Sequence, residues 1–162
     1  MKVTFRKTIP ESYRPRTDYN KYLETHKGNA MRAYEYYFKP MLEQEGLSQV
    51  ELDELSQIIA SHDSSKYDAS EYEPYYQYYY GPHHQNKQYT PEELSAYDLA
   101  WNHHQKTNPH HWQYWLLVKD GGELVALDMP LKYIIEMLCD WYSVGCIYGN
   151  NTCSWYNENK DK

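Results

Sequence analysis

Apolar and polar positions follow the α-helical period over most of this chain. From Asp18, the segment YNKYLETHKGNAMRAYEYYF sets Tyr22, Leu23, His26, Ala30, Ala33, Tyr34 and Tyr37 at i, i+3, i+4 spacing, which predicts a helix whose buried stripe carries a histidine. Gly28 weakens that helix by up to about 1 kcal/mol relative to Ala, so it points to a close approach by a neighbouring backbone or ligand. Pro40 predicts a kink or break near the helix end. Ser48-Gln49-Val50-Glu51 is a capping-box pattern, and Leu52, Leu55, Ile58 and Ile59 continue it as the apolar face of a second helix that ends at His62-Asp63.

The following stretch, DSSKYDASEYEPYYQYYYGPHHQNKQY, is too aromatic for a disordered linker and too rich in Pro, Gly and polar residues for one long element. It predicts an ordered loop with a short helical piece, packed over a cleft. Thr90-Pro91-Glu92-Glu93 combines an N-cap, a first-turn proline and a capping-box glutamate, so a third helix should run through about Gln105. Asp120-Gly121-Gly122 then supplies turn chemistry between two short apolar runs, which predicts a small hairpin. Asp128 and Pro130 open a last core helix, LKYIIEMLCDWYSV, with Leu131, Ile134, Ile135, Leu138 and Trp141 inward and an end near Gly145. The residues from Cys146 onward show no clear period. The expected fold is therefore all-α, a single domain over 1–162 with its core at about 18–145, extensions at both ends and a small β-hairpin before the last core helix.

Composition changes this picture in one respect. Hydrophobic residues make up 41% of the chain, yet the mean hydropathy is -0.97, because 20 residues are tyrosines that pair an apolar ring with a hydroxyl needing a partner. The core should be aromatic and hydrogen-bonded at its edges. A formal charge of -7 with scattered Lys and Arg gives no electrostatic footprint for duplex nucleic acid, although a bound metal ion would supply positive charge locally for a small phosphorylated ligand. No stretch reaches the roughly 20 apolar residues of a membrane helix, and the N-terminus lacks the apolar region of a signal peptide, so a cytoplasmic protein with no membrane partner is expected. Cys139, Cys146 and Cys153 fit neither a metal knuckle nor a disulfide framework and read as reduced thiols, with Cys139 in the core.

The chemistry concentrates around His62-Asp63-Ser64-Ser65-Lys66. An imidazole and a carboxylate side by side at the end of an apolar helix can grip a divalent ion through nitrogen and oxygen, with Lys66 near enough to meet an anionic substrate or balance the carboxylate. His26 lies on the inner stripe of the preceding helix. Asp140 stands amid Met137, Leu138, Cys139 and Trp141, where an unpaired carboxylate would cost several kcal/mol. A metal would compensate for it, as would a salt bridge to Lys66 or Arg32. Four more histidines occur as the pairs His103-His104 and His110-His111, whose other reading is stacking among Trp101, Trp112 and Trp115. Asp68, Glu71 and Glu73 are candidates for orienting the ligands or for a general acid. His83-His84, in a Gly-Pro loop, read as surface residues. The tyrosines from Tyr72 to Tyr80 would pack the loop or stack on a base.

The order His26, His62-Asp63, Asp140 across separate helices resembles the HD-domain superfamily of metal-dependent phosphohydrolases, and His62 to Lys66 matches the HDxxK form of its central motif. The resemblance covers roughly Asp18 to Ser143. The Tyr-rich loop and WNHHQKTNPHHWQYW are also similar to a group of small HD-like proteins of bacteria and their phages, which would place a phage-encoded member in the host cytoplasm. The resemblance implies an HD-like helical bundle that holds one or two divalent ions, Mn, Fe, Co, Ni or Zn. His26, His62, Asp63 and Asp140 would be the first ligands and His104 and His111 further ones, with His103 and His110 as alternates. Asp63, Lys66 and His104 are the residues expected to carry catalysis. The implied activity is hydrolysis of a nucleotide or other small phosphorylated metabolite, and a homo-oligomer is left open. Rival readings are an HD-fold binding protein that sequesters a nucleotide signal or a host protein without turnover, and a di-iron oxygenase. The chain departs from better-studied members at Ser64-Ser65, where an apolar residue and a glycine commonly follow the dipeptide.

Overall fold

Two capping boxes start two of the helices of the computed structural model, which describes residues 16–160. Ser48 accepts from the Glu51 amide and the Glu51 carboxylate accepts from the Ser48 amide, opening a helix at Gln49–Ala60; Thr90 and Glu93 do the same for Pro91–Thr107. In chain order the helices are α1 (Arg16–Ala33), α2 (Lys39–Gln44), α3 (Gln49–Ala60), α4 (Ala69–Tyr80), α5 (Pro91–Thr107), α6 (Leu131–Tyr148) and α7 (Thr152–Asn159). Short 3₁₀ turns lie at Ser64–Tyr67 and Trp112–Trp115. The only strands among the described residues, β1 (Leu116–Val118) and β2 (Leu124–Ala126), pair antiparallel with Leu117 opposite Val125. Gly122 closes their turn at φ +83, a conformation that favours glycine. The fold is all-α with one small hairpin before the last core helix, as the periodicity predicts. Of the N-terminal extension expected before the core at about residue 18, residues 1–15 lie outside the described residues, and Arg16 and Thr17 belong to α1.

Several expectations change. No break occurs at Pro40: a π-helical turn at Tyr34–Phe38 joins α1 to α2, with the Lys39 amide bonding back to the Tyr34 carbonyl. Widening the helix one turn ahead of Pro40 accommodates a residue that has no amide hydrogen to donate. The segment after the His-Asp dipeptide is a full helix, α4, which tolerates Pro74 in its interior. Helix α6 runs past Gly145 to Tyr148 and stops at Gly149 in the left-handed region, and α7 follows. Nothing approaches the position a Gly28 side chain would take, so no close contact explains that glycine.

Helix α1 packs along α6, and α4 along α5. Two cores result. One joins α1, α3 and α6 through Ala30, Ala33, Leu52, Leu55, Ile59, Ile135 and Cys139; the other joins α1, α4 and α5 through Tyr19, Leu23, Tyr75, Tyr76 and Ala100. Leu52, Leu55 and Ile59 hold α3 in place, each burial contributing roughly 1.5–3 kcal/mol. The buried Tyr34 hydroxyl donates to the Leu52 carbonyl at 2.7 Å, one instance of the hydrogen-bonded aromatic edge that the composition implies. On α6 the inward residues are Ile135 and Cys139 rather than Leu131, which is 56% exposed, because Glu136 and Ser143 take the rest of the buried face. His26 sits on α1 between Leu23 of one core and Ala30 of the other, and the polar cluster fills the seam between them.

Candidate metal centre

Five histidines and two carboxylates meet in that seam. His26 comes from α1 and His62 from the end of α3. Asp63 follows with a left-handed backbone (φ 55, ψ 22), an uncommon conformation for a residue with a Cβ, and its carboxylate is turned inward. His104 comes from α5, His110 and His111 from the turn after it, and Asp140 from α6. Three groups among the described residues are placed to hold a metal ion: His26, His62, Asp63 and Asp140; Asp63, His104, His110 and His111; and His62, His110 and Glu136.

Hydrogen bonds around the rim fix which nitrogen of each ring faces inward. Ser143 Oγ donates its one proton to the His26 carbonyl at 2.8 Å, so it accepts from His26 Nδ1 at 2.9 Å. In the neutral ring, Nε2 is then the acceptor nitrogen, and it faces inward. His62 Nδ1 donates to Glu136 Oε1 at 3.0 Å, and His104 Nδ1 to Glu71 Oε2 at 2.8 Å. The inward Nε2 atoms then crowd on one another and on carboxylate oxygens. His26 Nε2 is 3.1 Å from His62 Nε2, 3.1 Å from Asp63 Oδ2 and 3.1 Å from Asp140 Oδ1. His104 Nε2 and His110 Nε2 stand 3.3 and 3.5 Å from Asp63 Oδ1.

Acceptor facing acceptor at these distances needs positive charge between them. A single proton on His62 Nε2 cannot satisfy His26 Nε2, Asp63 and Asp140 together. A first-row divalent ion takes nitrogen and carboxylate ligands at about 2.0–2.2 Å, which sets neighbouring ligand atoms roughly 3 Å apart, the spacing found around His26. Asp63 Oδ1, His110 Nε2 and His111 Nε2 are buried with no hydrogen-bond partner, which gives the second group the same unmet demand, while His110 Nδ1 lies 3.1 Å from Glu136 Oε1. The donor set therefore fits a mixed nitrogen and oxygen metal site.

Electrostatics agree. Burial alone would lower the His62 pKa, but Asp63, Asp140 and Glu136 outweigh it and push it up to about 10. Burial alone would raise Asp63, but His62, Lys66 and the contacts with His104 and His26 hold it well below the usual carboxylate range. Asp140 is likewise held low against its own burial by His26 and His62. Burial, then neighbouring His110 and His104, depress His111 to about 3, so its ring is neutral at pH 7.

Lys66 Nζ lies 2.5 Å from Asp63 Oδ2 and lines a cavity of about 660 Å³ that opens over the centre. The bland partner for Asp140, a salt bridge to Lys66 or Arg32, does not form: Arg32 bonds Asn29, and the ionic contacts of Asp140 are His26 and His62. Of the paired histidines, His104 faces the centre and His103 does not. His103 is half-exposed, with its Nδ1 on Glu71 Oε1 at 2.6 Å, and belongs to none of the three groups. Both His110 and His111 reach the centre. Glu71 is the only one of the three acids after the dipeptide that orients a ligand, while Glu73 pairs with Arg16 and the Asp68 side chain makes no cap bond. His83 bonds Glu93 at the surface, but His84 lines the cavity. Glu136 and Ser143 were not singled out in the sequence, yet a Glu and an Asp four apart with Ser143 three further on, in an apolar helix, marks one polar stripe.

The model of DUF5662, a family of unknown function, matches residues 16–162. No curated protein and no solved structure matches the chain.

Proposed function

The chain belongs to this family of unknown function, and we propose that it is an HD-domain-like metal-dependent phosphohydrolase acting on a nucleotide or other small phosphorylated molecule. The observation that carries this reading is the crowding of imidazole nitrogens and carboxylate oxygens on one another around His26 and Asp63, beside a lysine that lines a cavity. His26, His62, Asp63 and Asp140 would hold one divalent ion, and Asp63 with His104, His110 and His111 a second; Mn, Fe, Co, Ni and Zn all suit such ligands. A divalent ion in such a site polarises a phosphoryl oxygen and lowers the pKa of bound water.

The chain's own residues supply the rest. Lys66, held against Asp63, lines the cavity and would neutralise charge on a phosphate entering there. Glu71 and Glu136 keep His104 and His62 in the tautomer whose Nε2 faces inward, and Ser143 does so for His26. The neutral His111 ring keeps a buried, unpartnered Nε2 whose lone pair is free for an ion rather than for a proton.

The test is elemental analysis of the purified protein and of an Asp63→Ala variant after dialysis against metal-free buffer, followed by phosphate release from nucleotides and simple phosphate esters after reloading with Mn. One or two ions per chain that the variant lacks, with metal-dependent phosphate release, is the expected result. Metal retained by the variant would overturn the site, and metal without hydrolysis across the panel would favour the binding-protein reading.

A further inference from the structure

The cleft over the centre has two chambers. One, of about 660 Å³, is lined chiefly by tyrosines and holds Lys66. The other, of about 370 Å³, is lined by Trp101, Trp112, Trp141 and Trp155 together with Gln113. Both volumes fall within the roughly 300–1,000 Å³ of ligand sites. The chambers share Trp101, His111, Asp140 and Val144, so they meet at the ion-binding carboxylate itself. A phosphorus atom at that junction has room for an organic group on either side, whereas a monoester would leave one chamber without an occupant.

Each chamber also holds polar atoms without partners. The Tyr19 and Tyr75 side chains line the larger chamber, and their hydroxyls are buried and make no hydrogen bond. Burial pushes both phenols up, so they stay protonated and offer donors. Gln113 shares the lining of the smaller chamber with the tryptophans, and its buried Oε1 is an acceptor without a donor. Flat rings that carry N–H groups satisfy both features at once, by stacking and by donating.

Resting on the phosphohydrolase reading, we propose that the substrate is a nucleoside phosphodiester, with a nucleobase in the tryptophan-lined chamber and the second ester group in the tyrosine-lined one. Hydrolysis places the oxygen of one water on phosphorus and breaks one P–O ester bond. One proton of that water leaves with the departing alcohol and the other ionises from the new monoester. No oxidant or reductant is needed.

Two measurements test this. The metal-loaded protein is given thymidine 5′-(p-nitrophenyl phosphate) and p-nitrophenyl phosphate, with kcat/KM expected at least tenfold higher for the diester. Preference for the monoester overturns the proposal while leaving the phosphohydrolase reading intact. In parallel, tryptophan fluorescence of the metal-free protein is titrated with thymidine, which has no phosphate, so binding is read without turnover. Quenching that Trp155→Ala and Gln113→Ala each weaken at least fivefold supports the base chamber, even if hydrolysis fails. No quenching, or quenching that neither variant changes, overturns it. Circular dichroism of both variants confirms that they fold.

Discussion

His26 and His62 face each other through Nε2 atoms 3.1 Å apart, while the Nδ1 of each is engaged on its far side, by Ser143 and by Glu136. Two nitrogens so placed share one cation or one proton. Without metal the proton rests on His62, whose pKa is pushed up to about 10 against the burial that would lower it. An ion that enters between His26 and His62 must displace it. Metal affinity should therefore rise between pH 6 and 8 by roughly tenfold per unit for each proton released. Calorimetric titrations in buffers of different ionisation enthalpy would show the proton directly, and a flat affinity would contradict the assignment.

The same proton sets the pH dependence of the metal-free fold. A pKa above its ordinary value of 6.5 means that His62 stabilises fully below pH 6.5, and that this contribution is lost as pH rises through about 10. The melting temperature in chelator should fall from pH 7 to pH 10. With metal bound the fall should be smaller, because no proton is left there to lose.

Glu136→Gln should leave the fold intact and weaken metal binding about 10- to 100-fold, the usual cost of losing a carboxylate that orients a ligating histidine. Competition with a chromophoric chelator measures this. Unchanged affinity would mean that Glu136 does not govern the His62 tautomer.

Lys66→Met removes the cation from Asp63 but none of the metal-facing atoms. Metal content should be retained, since the carboxylate loses only a competitor. Turnover of phosphate esters should fall by about 10²-fold or more, as expected for a group that stabilises developing charge. Loss of metal in this variant would recast Lys66 as a structural partner.

Tyr34→Phe tests the fold away from the centre. Its hydroxyl donates to the buried Leu52 carbonyl, and removing it should cost about 1–2 kcal/mol in urea denaturation with metal content unchanged.

Much of this was legible in the sequence, for physical reasons. Ser48 and Thr90 announce their helices because a capping box is a local device that needs no tertiary contact. His26 and Asp140 were legible because each stands in an otherwise apolar stretch of helix, where a polar group needs a partner, and His62 and Asp63 because an imidazole and a carboxylate stand side by side at the end of an apolar helix. The choice of His104 over His103 was not, since neighbours in a helix differ only by a rotation of about 100° that the packing of α5 on α4 decides. Helix α4 was hidden by Pro74 and by tyrosines, whose hydroxyls read as loop and whose rings form a core with α1 and α5. Tertiary burial overrides local propensity there.

The left-handed backbone at Asp63 carries a consequence of its own. Glycine would sit at that φ and ψ without strain, so Asp63→Gly trades a charged side chain in an awkward posture for a relaxed link, and the metal-free chain should tolerate it better than Asp63→Val. A screen that rewarded only thermal endurance would thus tend to accept glycine at the one position where the chemistry can least spare its residue. Endurance and reactivity pull this dipeptide in opposite directions, and keeping aspartate there is a concession of robustness to chemistry.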